Sequence, residues 1–154
     1  MARLIEATAA PELDRVRELF AEYARSVDEP CCFAGFEREV AELPQGYVAV
    51  LLAQENGAAA GCVALRALDP RTAEMKRLYV RPAFRGRSIG RALAQAAIAT
   101  ARAGNYHRIV LDSLPKMRAA LTLYRELQFR EAAPYLAEPT PGAKCFELSL
   151  TVDP

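Results

Sequence analysis

Residues 81–93, RPAFRGRSIGRAL, set four arginines and two glycines at the entrance to an alanine-rich run. Arginine at that density, beside glycines that let a backbone come close to a ligand, suits an anion such as a phosphate. The opening amides of a helix lack internal partners and sit at the positive end of the helix dipole. A turn feeding a helix is therefore a natural anion site. A solvated basic turn is the competing reading of the same residues. The segment lacks the Gly-Lys-Ser/Thr ending of a P-loop and the G-x-G-x-x-G dinucleotide fingerprint.

The whole chain bounds the choice. Net charge is +1 over 154 residues, so an anion site must be local, and nucleic acid is not an expected partner. With 52% hydrophobic and 25% charged residues, residues 1–154 read as one globular domain with a core of its own. Cys31, Cys32, Cys62 and Cys145 lack C-x-x-C spacing, and His107 is the single histidine. No metal is expected, and the thiols read as reduced. The apolar run at 47–53 is too short to span a bilayer, and the N-terminus lacks a signal-peptide core. The expected location is cytoplasmic, without membrane association.

The elements that would hold the loop follow from periodicity. Residues 3–7 read as a strand. Leu13, Val16, Phe20 and Tyr23 recur at helical spacing behind Pro11, predicting a helix over 12–26. A short helix over 33–43 ends at Pro44 and Gly46. Strands at 47–53 and 59–68 flank Asn56 and Gly57, a type I′ hairpin signal. A strand over 72–80 then enters the arginine loop and a helix over 90–103. A strand at 108–112, a helix at 116–127 and strands at 129–133 and 145–150 complete an α/β order with a mixed sheet.

At residues 78–93, LYVRPAFRGRSIGRAL resembles motif A of the GNAT superfamily of N-acetyltransferases, Arg/Gln-x-x-Gly-x-Gly/Ala after V-x-P. LTLYRELQF resembles the later A-x-x-L-Y-x-x-x-G-F motif, with Ala120, Leu123, Tyr124 and Phe129 in register. The resemblance covers residues 73–135 and, more loosely, the C-terminal part. It implies a mixed, mostly antiparallel central sheet of about six to seven strands flanked by about four helices. It also implies acetyl-CoA as acyl donor. The loop Arg85, Gly86, Arg87, Ser88, Ile89, Gly90 and Arg91 would hold the pyrophosphate through its amides. Leu78, Tyr79 and Val80 would pair with the pantetheine arm as a pseudo-strand. Arg87 and Arg91 are the expected phosphate-contacting side chains, with Arg81 solvated.

Acetyl transfer to an amine needs a neutral amine, a polarised carbonyl and a proton for the leaving sulfur. The resemblance implies Tyr124 as the acid and Glu74 as the base, acting directly or through water. Glu74 read as an exposed carboxylate paired with Lys76 or Arg77 is the alternative, and Asp112 is a second candidate base. The segments at 26–47 and after Tyr135 would flank the acceptor. The expected acceptor is a primary amine on a small molecule rather than a protein, attacked in a ternary complex; relatives that dimerise leave a homodimer open. A non-catalytic acyl-CoA sensor is the alternative function. Two residues depart from the motifs: Ser88 replaces a glycine, where it is expected to cap the helix or touch phosphate, and Gln128 replaces the glycine after the helix.

Overall fold

The structure, a computed structural model, describes residues 2–29 and 33–151, so Cys31 and Cys32 lie outside the described residues. In chain order the elements are β1 (Arg3–Glu6), α1 (Ala10–Val27), α2 (Phe36–Glu42), β2 (Ala49–Glu55), β3 (Ala58–Asp69) and β4 (Thr72–Val80). Then follow α3 (Ile89–Ala103), β5 (Arg108–Ser113), α4 (Arg118–Glu126), β6 (Arg130–Ala132) and β7 (Lys144–Ser149). Among the described residues seven strands form one sheet in the order β1-β2-β3-β4-β5-β7-β6. Every pairing is antiparallel except β4 with β5. The second helix begins three residues later than its apolar pattern predicts.

Pro11 sits in the first turn of α1, where a missing N–H is harmless. Asn56 and Gly57 take φ 52° and 79°, the paired left-handed residues of a type I′ turn. One face of the sheet is covered by α1, whose Leu13, Val16 and Phe20 pack with Val50, Leu52 and Ala64. The other is covered by α3 and α4: Leu93, Ala97 and Ile98 meet Val63, Leu65 and Ile109. Ala94, Ala97 and Ala101 lie on the buried face of α3.

Two features mark this sheet at its centre. β4 and β5 are joined only where Thr72, Ala73 and Glu74 face Arg108, Ile109 and Val110. Beyond that point both strands run on without pairing to each other. At the same level β3 presses close to β4 on the other side. A Cβ on Gly61 would lie 2.5 Å from the Tyr79 carbonyl oxygen, so only glycine fits there. His107 is exposed, and Cys62 and Cys145 are buried thiols. Among the described residues no helix is long and apolar enough to cross a membrane.

Candidate active site

β4 carries a bulge. Cys62 pairs with Tyr79 and Ala64 with Lys76, so β4 uses one more residue than β3 over this stretch. The extra residue is Arg77, at φ 60°. Side chains alternate along a strand, and an extra residue inverts the alternation beyond it. Met75 lies in the core beneath α3 and α4. Tyr79, four positions later, lies in the core beneath α1, where an unbroken strand would have returned it to Met75's side. Leu78 and Val80 accordingly turn towards α3.

Arg77 is held in this left-handed conformation from several directions. Its guanidinium donates to both oxygens of Glu39 on α2, at 3.0 and 2.8 Å. It also lies 4.7 Å from the centre of the Phe33 ring. Burial, the largest influence, would raise the Glu39 carboxyl, but the hydrogen bonds and charge of Arg77, with a bond from Tyr47, together hold Glu39 below its ordinary range.

On the α3 side of the inverted segment, Leu78, Val80, Phe84 and Leu123 line an apolar groove. It ends against Arg85, Gly86, Ser88, Ile89 and Gly90, with Tyr79 also at its edge. Gly86 takes φ 79°, leaving that turn bare of a Cβ. The first helical hydrogen bond of α3 runs from the Ala92 amide to the Ser88 carbonyl. The amides of Ile89, Gly90 and Arg91 therefore precede the helical ladder. An apolar groove that meets the start of a helix and a Cβ-free turn can hold an apolar arm that ends in an anion.

The arginine side chains are largely spoken for. Arg87 pairs with Glu55 at 2.5 Å and Arg91 with Glu126, and neither lines the groove. Arg85 donates to the Val80 carbonyl at 3.1 Å. Arg81 is not solvated as expected: it grips Glu22 at 2.6 Å and the Ala59 carbonyl at 3.1 Å, tying β4 to α1 and β3. Ser88 occupies the N-cap position of α3 but makes no side-chain cap bond, because its φ of 61° points the hydroxyl away from the capping geometry. The expectation of a serine cap is thereby corrected. Gln128 likewise takes φ 75° in the place of the expected glycine.

Beside the groove lies a polar cavity lined by Glu74, Lys76, Asp112 and Tyr124. Tyr23 and Phe33 border it from the α1 side, Leu136 and Thr140 from the loop between β6 and β7. Leu78 borders both spaces, so groove and cavity meet at the bulge. Tyr124 projects from α4 between Phe129 and Phe146 and is 6% exposed. Its hydroxyl forms no hydrogen bond among the described residues. Burial, then Tyr23 and Asp112, push its pKa up, so the phenol stays protonated at neutral pH.

Glu74 is 1% exposed, which excludes the exposed-edge alternative. Its partners are neither Lys76 nor Arg77. Arg66 donates to Oε1 at 2.5 Å and the Tyr135 hydroxyl to Oε2 at 2.5 Å. Arg66 was legible in principle, since the hairpin register sets it directly opposite Glu74. Tyr135 was not, because its loop carries no periodic signal. Asp112 and Lys76 are half-buried, and neither side chain forms a hydrogen bond or ion pair among the described residues.

These geometries agree with what the chain is similar to. The model of the acetyltransferase (GNAT) family matches residues 13–129. The chain belongs to that family. An uncharacterised N-acetyltransferase of Schizosaccharomyces pombe is 31% identical, over 96% of this chain and 94% of its own length. An acetyltransferase from Streptococcus agalactiae superposes with a TM-score of 0.81 at 21% identity, covering 96% of this chain and 98% of its own. The Salmonella typhimurium protein yncA, solved with acetyl-CoA as its cofactor, has a TM-score of 0.76 at 22% identity, covering 100% and 96%. The fold is thus that of GNAT acyltransferases, a family of acetyl-CoA-dependent N-acetyltransferases.

Proposed function

We propose that this chain moves an acetyl group from acetyl-CoA directly to a primary amine on a small molecule, with both substrates bound at once. The observation that carries this reading is the position of Leu78, which borders both the apolar groove and the polar cavity. A donor laid along the groove and an amine in the cavity would meet at the bulge. The enclosure of the cavity by Phe33, Leu136 and Thr140 supports a small acceptor over a protein segment.

Acetyl-CoA supplies an activated thioester at that junction. Leu78, Tyr79 and Val80 offer the backbone for the pantetheine arm, and the loop from Arg85 to Arg91 offers amides for the pyrophosphate. With Arg87 and Arg91 engaged by carboxylates, backbone rather than guanidinium dominates the cradle. A backbone amide near Leu78 and Tyr79, beside the bulge, would polarise the carbonyl.

Proton removal from the incoming ammonium falls to a carboxylate in the cavity. Each oxygen of Glu74 already accepts one hydrogen bond, from Arg66 or from Tyr135, and has one lone pair left for a proton or a water. Asp112 has open lone pairs and is the more direct acceptor. The neutral amine then forms the C–N bond as the C–S bond breaks, and the Tyr124 hydroxyl donates to the departing sulfur. The test is an amine library offered with acetyl-CoA, read as free thiol, beside calorimetry with coenzyme A. Thiol release from a small amine is expected. Tight coenzyme binding with no release from any amine would replace the enzyme with an acyl-CoA sensor.

A further inference from the structure

The acceptor cavity contains one cation and one anion that its own pairing leaves over. Around it, Glu39 is taken at both oxygens by Arg77, and Glu74 by Arg66 and Tyr135. What remains is Lys76 on β4 and Asp112 on β5. Both line the cavity, and among the described residues neither is ion-paired. They do not pair with each other, because β4 and β5 cease to be joined beyond Glu74 and Val110. The two charges line one space from two strands that have ceased to pair.

An ammonium withdrawn from water is unfavourable without an anion beside it. Burial first, then the neighbouring Arg77, lowers the Lys76 pKa, and the nearby carboxylates Glu74 and Glu39 oppose that shift without bonding it. An anion entering the cavity would supply the bonded partner that Lys76 lacks among the described residues. A simple alkyl or aryl amine would leave Lys76 as it is. A polyamine would add a second cation next to it.

We infer that the acceptor is an amine that also carries a carboxylate, an α-amino acid or close homologue, with its carboxylate on Lys76 and its amino group towards Asp112. This rests on the acetyl-transfer reading above and names its substrate class. Lys76 thereby selects the acceptor, while the bulge presents the amino group to the donor.

The test uses matched sets: each of the common L-amino acids, its carboxamide and its decarboxylated amine, with acetyl-CoA and a thiol readout. At least one amino acid should be turned over with kcat/KM roughly 10–100-fold above its carboxamide, the loss expected when a charged hydrogen bond is removed. Lys76→Met should bring the acid down to the level of the amide, chiefly through KM, and Lys76→Arg should restore part of the difference. Calorimetry of the same amino acid into the coenzyme A-bound protein gives a second readout, with binding lost in Lys76→Met but not in Lys76→Arg. Unchanged thermal unfolding of the variants keeps the comparison on recognition. Equal rates for acid and amide, or an acid preference that survives Lys76→Met, overturn the inference. Absence of thiol release from every amine overturns the transfer reading instead, and the calorimetry then still decides whether a carboxylate binds at Lys76.

Discussion

The Tyr135 hydroxyl donates to Glu74 at 2.5 Å across 61 positions of chain, fastening the loop after β6 to the centre of the sheet. With Arg66 on its other oxygen, Glu74 is a tether before it is a base. The catalytic proton should therefore go first to Asp112. Turnover should fall by about 10²–10³-fold in Asp112→Asn and by much less in Glu74→Gln. The opposite pattern would return the role of base to Glu74.

Tyr124 is kept protonated by burial and faces the cavity without a hydrogen-bond partner among the described residues. Tyr124→Phe keeps the ring that packs on Phe129 and Phe146 and removes only the donor. Turnover should fall by about 10²-fold. Coenzyme A affinity, measured by calorimetry, should not change. Unaltered turnover would remove the phenol from the mechanism.

Ser88 lies in the left-handed region without a compensating side-chain bond. That conformation costs a non-glycine residue about 1–2 kcal/mol. Ser88→Gly should stabilise the fold by about 1 kcal/mol in urea unfolding, the larger unfolded-state entropy of glycine offsetting part of the gain. Because the cradle is backbone, coenzyme A affinity should move by less than about threefold, under 1 kcal/mol. A large gain in affinity would show that the hydroxyl obstructs the phosphate.

Stability should fall in acid for a reason visible in two ion pairs. The bonds from Arg81 lower the Glu22 carboxyl, and the bonds and charge of Arg77, with Tyr47, together overcome burial to lower Glu39. A carboxyl depressed by folding stabilises above its unfolded pKa, about 4.3 for glutamate, and loses that contribution as pH falls through the folded value. Glu39→Gln leaves Arg77, with 7% of its side chain exposed, without an anion. The variant should lose about 3–5 kcal/mol at pH 7. Between pH 5 and about 3 its stability should decline less steeply than that of the parent chain. A parallel decline would exclude Glu39 from the acid response.

Much of the scaffold was legible because it is local. The 3.6-residue recurrence in α1, the Asn56–Gly57 turn and the strand leading into the arginine loop are all written in neighbouring residues. The resemblance placed Leu78, Gly86 and Gly90 beside one another, and they do line one groove. What escaped depends on tertiary closure. Arginines that look free in sequence find Glu22, Glu55 and Glu126 from other elements. The burial of Glu74 and its bond to Tyr135 require a loop whose path no periodicity encodes. The bulge at Arg77 leaves no local mark either, since arginine is an improbable choice for a left-handed residue and only its partners make it tolerable.

That bulge divides β4 into two independently editable halves. Before Arg77, Glu74 and Lys76 line the cavity proposed for the acceptor; after it, Leu78 and Val80 line the groove proposed for the donor. A mutation at position 74 or 76 can therefore change which amine is accepted while the coenzyme's berth stays as it was. Through a kink of one residue, a single strand can diversify its substrates without renegotiating its source of acetyl groups.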